Sequence, residues 1–220
     1  MIIIKLGGSV FVPKNSNFFD EEYLKKLKNI LEKFNKNIIL IHWTWNFGHS
    51  FVKKYWINKK TFSFFLKARE KFFRKIDKIF FNYERILARK VLKVWEKILK
   101  NKKNIIISWD ALNKTFEVIS SDIIFSKLIK NLDGIKIILT DVDWILDEKW
   151  KIIEKLSLKN LDKIKFWKKE NDVTWAMKSK IESLKNYIWE DKVFLCNGKN
   201  LDNLKNFLEK QKAEWTYIYN

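Results

Sequence analysis

Six short runs rich in Ile, Val and Leu, at Ile2 to Leu6, Asn37 to Ile41, Asn104 to Ile107, Ile135 to Leu139, Lys192 to Leu195 and Thr216 to Tyr219, alternate with longer stretches whose apolar residues recur every three or four positions. The short runs read as strands, and several are apolar without interruption, which predicts burial on both faces. Glu21 to Phe34, Thr61 to about Leu99, Asp122 to Asn131, Met177 to Tyr187 and Leu201 to Lys210 read as amphipathic helices, with Glu154 to Lys165 as a further one. Such alternation predicts an α/β chain: a mostly parallel central sheet with helices on both faces, in a three-layer αβα sandwich, with ligands outside the carboxyl ends of the strands. No linker, repeat or low-complexity tail divides the 220 residues, so one domain of two closely fused lobes is expected.

The helical stretch from Thr61 is dense in aromatics. Phe62, Phe65, Phe72, Phe73, Ile76, Phe80, Tyr83 and Leu87 fall near one stripe. The stripe reads as core, with an apolar pocket for a hydrocarbon substrate as the alternative.

Composition changes the picture at the turns. The chain has 5 Gly, 11 Trp and 1 Pro, too few turn formers for its length. Gly and Trp together would make about 7% of the residues, the usual glycine share. Trp43, Trp45, Trp144, Trp175 and Trp215 stand in loops that become glycine-rich phosphate cradles once each is read as Gly. Glycine is wanted in such loops because amides must approach phosphate oxygens closely and several residues need positive φ. The hypothesis is that many of these tryptophans are glycines encoded by a reassigned UGA codon, and codon identity at these positions tests it. A natively Trp-rich surface for sugars or bases is the rival reading, and it leaves the turn placement unexplained.

The formal charge of +19 changes the picture less. Only Arg69, Arg74, Arg85 and Arg89 are arginines among 45 basic residues, and the lysines are spread through every segment. With the abundance of Asn, Ile and Phe, this resembles the drift of an AT-rich genome. The expectation is a solvated lysine surface with no specific nucleic-acid face, whose field still draws in anionic substrates. Cys196 stands alone, which rules out an intramolecular disulfide and argues against a Cys-based zinc site. The opening run from Met1 to Leu6 is too short for a signal segment or a membrane span, so a cytoplasmic protein is expected.

The candidate chemistry falls at the ends of the expected strands. Lys5 precedes a Gly7-Gly8-Ser9 turn whose amides can hold phosphates. His42-Trp43-Thr44-Trp45-Asn46-Phe47-Gly48-His49 follows the second strand. Trp109-Asp110 follows the third, Asp141-Val142-Asp143-Trp144 the fourth, and Asp172-Val173-Thr174-Trp175-Ala176-Met177-Lys178-Ser179-Lys180 precedes a helix. In order and spacing, over nearly the whole chain, these segments resemble the amino acid kinase superfamily. The second loop, with its Trp residues read as Gly, is similar to the His-Gly-Gly-Gly-x-Phe-Gly-His loop of isopentenyl phosphate kinases and the related fosfomycin kinases.

That resemblance implies the amino acid kinase fold, with a phosphoryl-acceptor lobe over about residues 1–120 and a nucleotide-binding lobe over about 121–220. It implies ATP, with Mg2+ carried on the nucleotide and no protein metal site, a small-molecule phosphate as acceptor, and a homodimer. Carried over by motif, Lys5, Lys14, His49, Asp122 and Lys180 are the expected catalytic residues, with Asp122 orienting two lysines. Lys5, Gly7, Gly8, Ser9, Trp45, Asp141, Asp143, Trp144, Trp175, Lys178 and Lys180 are the expected ATP contacts. The acceptor is expected at Trp43, Thr44, Gly48, His49, Trp109 and Asp110. In-line transfer follows, with catalysis by positioning and by stabilising charge on the equatorial oxygens. Another small phosphate, phosphonate or carboxylate remains an alternative acceptor, and a non-catalytic binding protein follows if the tryptophans are genuine.

Two departures stand out. The usual Ser-Gly-Asp-Asp is Ser120-Ser121-Asp122-Ile123, and the stretch from Arg89 to Ser108 is shorter than in isopentenyl phosphate kinases. Both bear on the lid and the acceptor pocket.

Overall fold

The computed structural model describes residues 1–12, 18–42, 59–99, 104–108, 110–112, 115, 117–142, 145–164, 181–185, 192–210 and 215–220. Strands β1 (Ile2–Leu6), β2 (Ile38–His42), β4 (Asn104–Ser108) and β7 (Ile135–Thr140) carry the apolar runs. Almost every residue in them is buried, as expected for strands covered on both faces. With β3 (Glu84–Leu87), β8 (Lys155–Ser157), β9 (Val193–Asn197) and β10 (Thr216–Tyr219) they form one eight-stranded sheet, in the order β3-β4-β2-β1-β7-β9-β10-β8. All neighbours run parallel except β9 and β10. Asp110–Ala111 (β5) and Val118–Ile119 (β6) make a separate small hairpin.

Helices cover both faces. On one side lie the short turn α1 (Gly8–Phe11), α2 (Glu21–Glu32), α3 (Phe62–Ile79) and α6 (Leu201–Lys210), packed on Ile2, Ile4 and Leu6. On the other lie α4 (Ala88–Leu99), α5 (Ser121–Ile129) and a 3-10 helix at Leu158–Lys163, packed on Ile3, Ile39 and Ile138. Local signals start these helices. The Asp20 carboxylate caps α2 by accepting from the Tyr23 amide at 2.9 Å, and Glu21 and Glu22 favour its positive end. The two sequence halves map onto the two halves of the sheet: β1 to β4 on one side and β7 to β10 on the other meet where Ile2 pairs with Ile135.

Two sequence expectations are corrected. The Thr61 to Leu99 stretch is not continuously helical, because Phe80 to Tyr83 form a turn and Glu84–Leu87 pair with β4 before α4 begins. Tyr83 and Leu87 satisfy helical spacing and a short edge strand equally, so periodicity could not separate the two. Glu154 to Lys165 is not an α-helix either. Pairing with β10 holds Lys155–Ser157 extended, and the 3-10 turn follows with Leu158 and Leu161 buried. The aromatic stripe is core, as its spacing predicts: Phe65, Phe72, Phe73, Ile76 and Phe80 are all buried.

The hairpin after β7 bears on the tryptophan question. The Asp147 amide donates to the Lys151 carbonyl at 2.9 Å, and Trp150 closes the turn at φ 63, the one non-glycine residue with positive φ among the described residues. This is the left-handed position that three-residue hairpin loops give to glycine. Trp150 is 63% exposed, so its ring contributes little burial. Trp150→Gly is therefore expected to stabilise the fold by about 1 kcal/mol, the left-handed strain relieved less the added freedom of the unfolded chain. Denaturant unfolding of both forms measures it, and a loss of stability would contradict the glycine reading of this turn. Trp215 behaves differently. It has no positive φ, and its indole packs edge-on against Phe207 and Phe194 at 4.3 and 5.4 Å between centroids.

No helix among the described residues is long and apolar enough to cross a membrane.

Candidate functional site

The strand order reverses at the β1–β7 seam, the place where open parallel sheets leave a crevice beyond their carboxyl ends. The chain makes room there by using glycine. A Cβ on Gly7 would sit 2.8 Å from the Leu139 carbonyl, and one on Gly198 would sit 2.8 Å from both Leu139 and Val10 side-chain carbons. The turns after β1 and β9 therefore lie hard against the end of β7. Backbone bonds lock them: the Gly7 amide donates to Leu139 at 2.9 Å and the Gly198 amide to Thr140 at 2.7 Å. The Tyr23 hydroxyl of α2 then donates to the Gly198 carbonyl at 2.7 Å. With the Gly7 amide occupied, the amides of Gly8 and Ser9 open the α1 turn, where backbone N–H groups have no intrahelical acceptor.

Two polar pairs span this crevice. Lys5, 2% exposed on β1, reaches across to the Asp122 carboxylate in the first turn of α5. Ser120 caps α5 by accepting the Asp122 amide at 3.1 Å, and a helix start favours the carboxylate held there. On the other flank the Ser9 hydroxyl donates to Asp141 Oδ1 at 2.8 Å, joining the β1 turn to the end of β7. An ammonium ion, helix-start amides and oriented carboxylates thus gather at the strand ends, a set suited to phosphate oxygens and to cations travelling with them.

The ends of β2 and β4 form the other flank. His42 is 2% exposed, with Nε2 3.0 Å from the Ser108 hydroxyl and its ring among Phe11, Phe72 and Phe73. Burial pushes the imidazole down to about 3, with the Arg85 charge adding to the effect, so His42 is neutral throughout the physiological range. It is a packing residue. Asp110, expected at the acceptor, is 0% exposed, and both of its carboxylate oxygens face arginines. Arg69 of α3 takes Oδ1, and Arg89 of α4 approaches Oδ2 at 3.3 Å. The Ala111 amide also donates to Oδ1, at 2.9 Å.

The structure thus brings Lys5, Gly7, Gly8, Ser9, Asp122 and Asp141 together at the seam. Lys14, Trp43, Thr44, Trp45, Gly48, His49, Trp109, Asp143, Trp144, Trp175, Lys178 and Lys180 lie outside the described residues. Sequence reasoning missed Tyr23, Arg69 and Arg89. For Arg69 a signal existed, because it sits between Phe65 and Phe72 on an otherwise apolar stripe. A groove of about 470 Å³ between α2 and α3, lined by Glu21, Lys25, Lys28 and Lys75 among others, shares no residue with the strand-end site. Three of its four lysines are ion-paired: Lys25 with Glu22, Lys28 with Glu32 and Lys75 with Glu21.

By sequence the chain matches no family model and no curated protein. By structure it is similar over 99% of its length to 99% of an isopentenyl phosphate kinase, at a TM-score of 0.74 and 16% identity. It also resembles an isopentenyl phosphate kinase product complex from T. acidophilum, over 99% of each chain, at a TM-score of 0.68 and 17% identity. A carbamate kinase from Giardia lamblia bound to AMP-PNP matches all of this chain with 98% of its own, at a TM-score of 0.63 and 13% identity. The three-layer sandwich around the β3-to-β8 sheet is therefore the amino acid kinase fold.

Proposed function

We propose that this fold serves an ATP-dependent phosphotransferase, and that its acceptor is isopentenyl phosphate, converted to isopentenyl diphosphate. The observation that carries the kinase reading is the Lys5–Asp122 pair across the seam, beside the turn amides of Gly8 and Ser9. The likeness to solved kinases supports the same reading. The acceptor rests on the His42 to His49 loop and its resemblance to that of isopentenyl phosphate kinases.

In this reading the half of the sheet carrying β7 to β10 binds nucleotide and the half carrying β1 to β4 binds the acceptor. Gly8, Ser9, Asp141, Asp143 and Lys178 hold the polyphosphate, with glycine wanted at 45, 144 and 175. Lys5, Lys14, Lys180 and His49 neutralise charge along the line of transfer, and Asp122 holds Lys5 in place. Thr44 and Gly48 complete the acceptor loop. Mg2+ carried with ATP would supply charge neutralisation, and Asp141, which accepts from the Ser9 hydroxyl, would hold it through water. The acceptor phosphate is already anionic, so no general base is needed. A homodimer in the cytoplasm completes the proposal.

The test is an ADP-release assay with isopentenyl phosphate, dimethylallyl phosphate, fosfomycin and N-acetylglutamate. Isopentenyl phosphate is expected to give the highest kcat/KM, and a preference for N-acetylglutamate would overturn the acceptor assignment. His49→Ala is expected to lower kcat by about 10²-fold, as for loss of one oxyanion donor. His42→Ala should act through stability, because its ring is packed and neutral. The reverse pattern in steady-state kinetics and melting curves would mean that the loop is misassigned.

A further inference from the structure

Arg69, Arg85 and Arg89 are three of the four arginines in a chain that otherwise draws its positive charge from lysine, and they gather at one corner of the sheet. Arg69 and Arg89 grip Asp110, while Arg85 pairs with Glu70, the neighbour of Arg69, at 3.2 Å. Lysine offers the same charge but not the rigid planar fork of a guanidinium, so this corner calls for directed hydrogen bonds as well as charge. Arg69 also interrupts the buried stripe of α3 between Phe65 and Phe72, where an apolar side chain would pack without needing a partner.

The two arginines come from opposite layers. Arg69 belongs to α3, packed on one face of the sheet, and Arg89 to the first turn of α4, packed on the other. Asp110 lies just past the end of β4, so the pairs tie both helix layers together over the carboxyl edge of the sheet. Two residues before Asp110 in the chain, Ser108 meets His42, the last residue of β2 and the one before the acceptor loop. We infer that Asp110, clamped by Arg69 and Arg89, is a positioning residue that fixes the acceptor flank of the site while leaving the nucleotide flank alone. The inference rests on the phosphotransferase reading for its kinetic test.

The experiment uses the full chain carrying Trp43→Gly, Trp45→Gly, Trp144→Gly and Trp175→Gly, with Arg89→Lys, Asp110→Asn and, as a control, Arg74→Lys added singly. Arg89 is the informative site because its side chain is 31% exposed and tolerates replacement better than buried Arg69. Arg89→Lys should raise KM for the acceptor about tenfold, the scale of one partly buried ion pair, with KM for ATP within about twofold. It should also speed hydrogen exchange at the Ala111 amide, which Asp110 holds. Asp110→Asn should do both more strongly, and Arg74→Lys, on the exposed face of α3, neither. Equal shifts in both KM values, or lost melting temperature with no acceptor shift, would make the cluster a plain structural brace and overturn the inference. If isopentenyl phosphate is inert but another acceptor of the panel reacts, the acceptor assignment fails and the KM split is judged on that acceptor. If none reacts, the phosphotransferase reading fails and the inference falls with it, whereas equal KM shifts in an active enzyme overturn the inference alone.

Discussion

Lys5→Ala is expected to reduce kcat by about 10²- to 10³-fold, the range seen when one preorganised charge-stabilising donor is removed. Lys5 is 2% exposed, so its ammonium is shielded by protein on most sides, and among the described residues it is held by one carboxylate, Asp122. A charge fixed in this way needs no reorganisation when negative charge shifts along the reaction axis, which is why the loss should fall on kcat more than on KM for ATP. The Asp122 side chain is 27% exposed and water can reach it, so stability should fall only modestly when its partner is removed. Steady-state kinetics beside thermal unfolding separates the two effects. Full kcat with a lowered melting temperature would reduce the pair to a brace between β1 and α5.

The second large effect concerns nucleotide affinity. Changing Trp43, Trp45, Trp144 and Trp175 together to glycine should tighten ATP binding by about 10²-fold or more, since restoring even two charge-assisted hydrogen bonds of about 1.5–3 kcal/mol each reaches that range. The physical reason is the one seen at Trp150, whose φ of 63 is a conformation that glycine adopts freely and an indole residue does not. Titration calorimetry of the two forms decides the matter. Equal ATP affinity would remove the case for reading these tryptophans as glycine.

The parts of the molecule written in apolar runs were legible from the sequence. Ile2–Leu6, Thr216–Tyr219 and Leu201–Lys210 fall where hydrophobic patterning puts them, because a strand buried on both faces, a strand buried on alternate residues and a one-sided helix each leave a distinct period. Glu84–Leu87 was not legible. It is a four-residue edge strand between two helices, and its pairing with β4 is a tertiary fact that overrides a local pattern fitting both states. At the site, Lys5 and Asp122 were found through their motifs, although 117 residues separate them. Asp110 was legible only as a residue that follows a strand. Nothing in a Trp-Asp dipeptide announces that the carboxylate will turn inward to two arginines from different helix layers.

The antiparallel strand β10 has a consequence for the order in which the sheet can assemble. It lies between β9 and β8, yet it comes after both in the chain. Until Thr216–Tyr219 has left the ribosome, Lys155–Ser157 has no strand to pair with, and β9 shows an open edge. The β1–β7 pairing, Ile2 with Ile135, must likewise wait across 133 residues. A nascent chain therefore exposes apolar strand edges through most of its synthesis, and such non-local pairing makes folding slow and open to edge-to-edge association. The dense lysine coat suits that interval. Like charges repel neighbouring nascent chains before any native surface exists, so the charge of +19 serves the unfinished protein as well as the finished one.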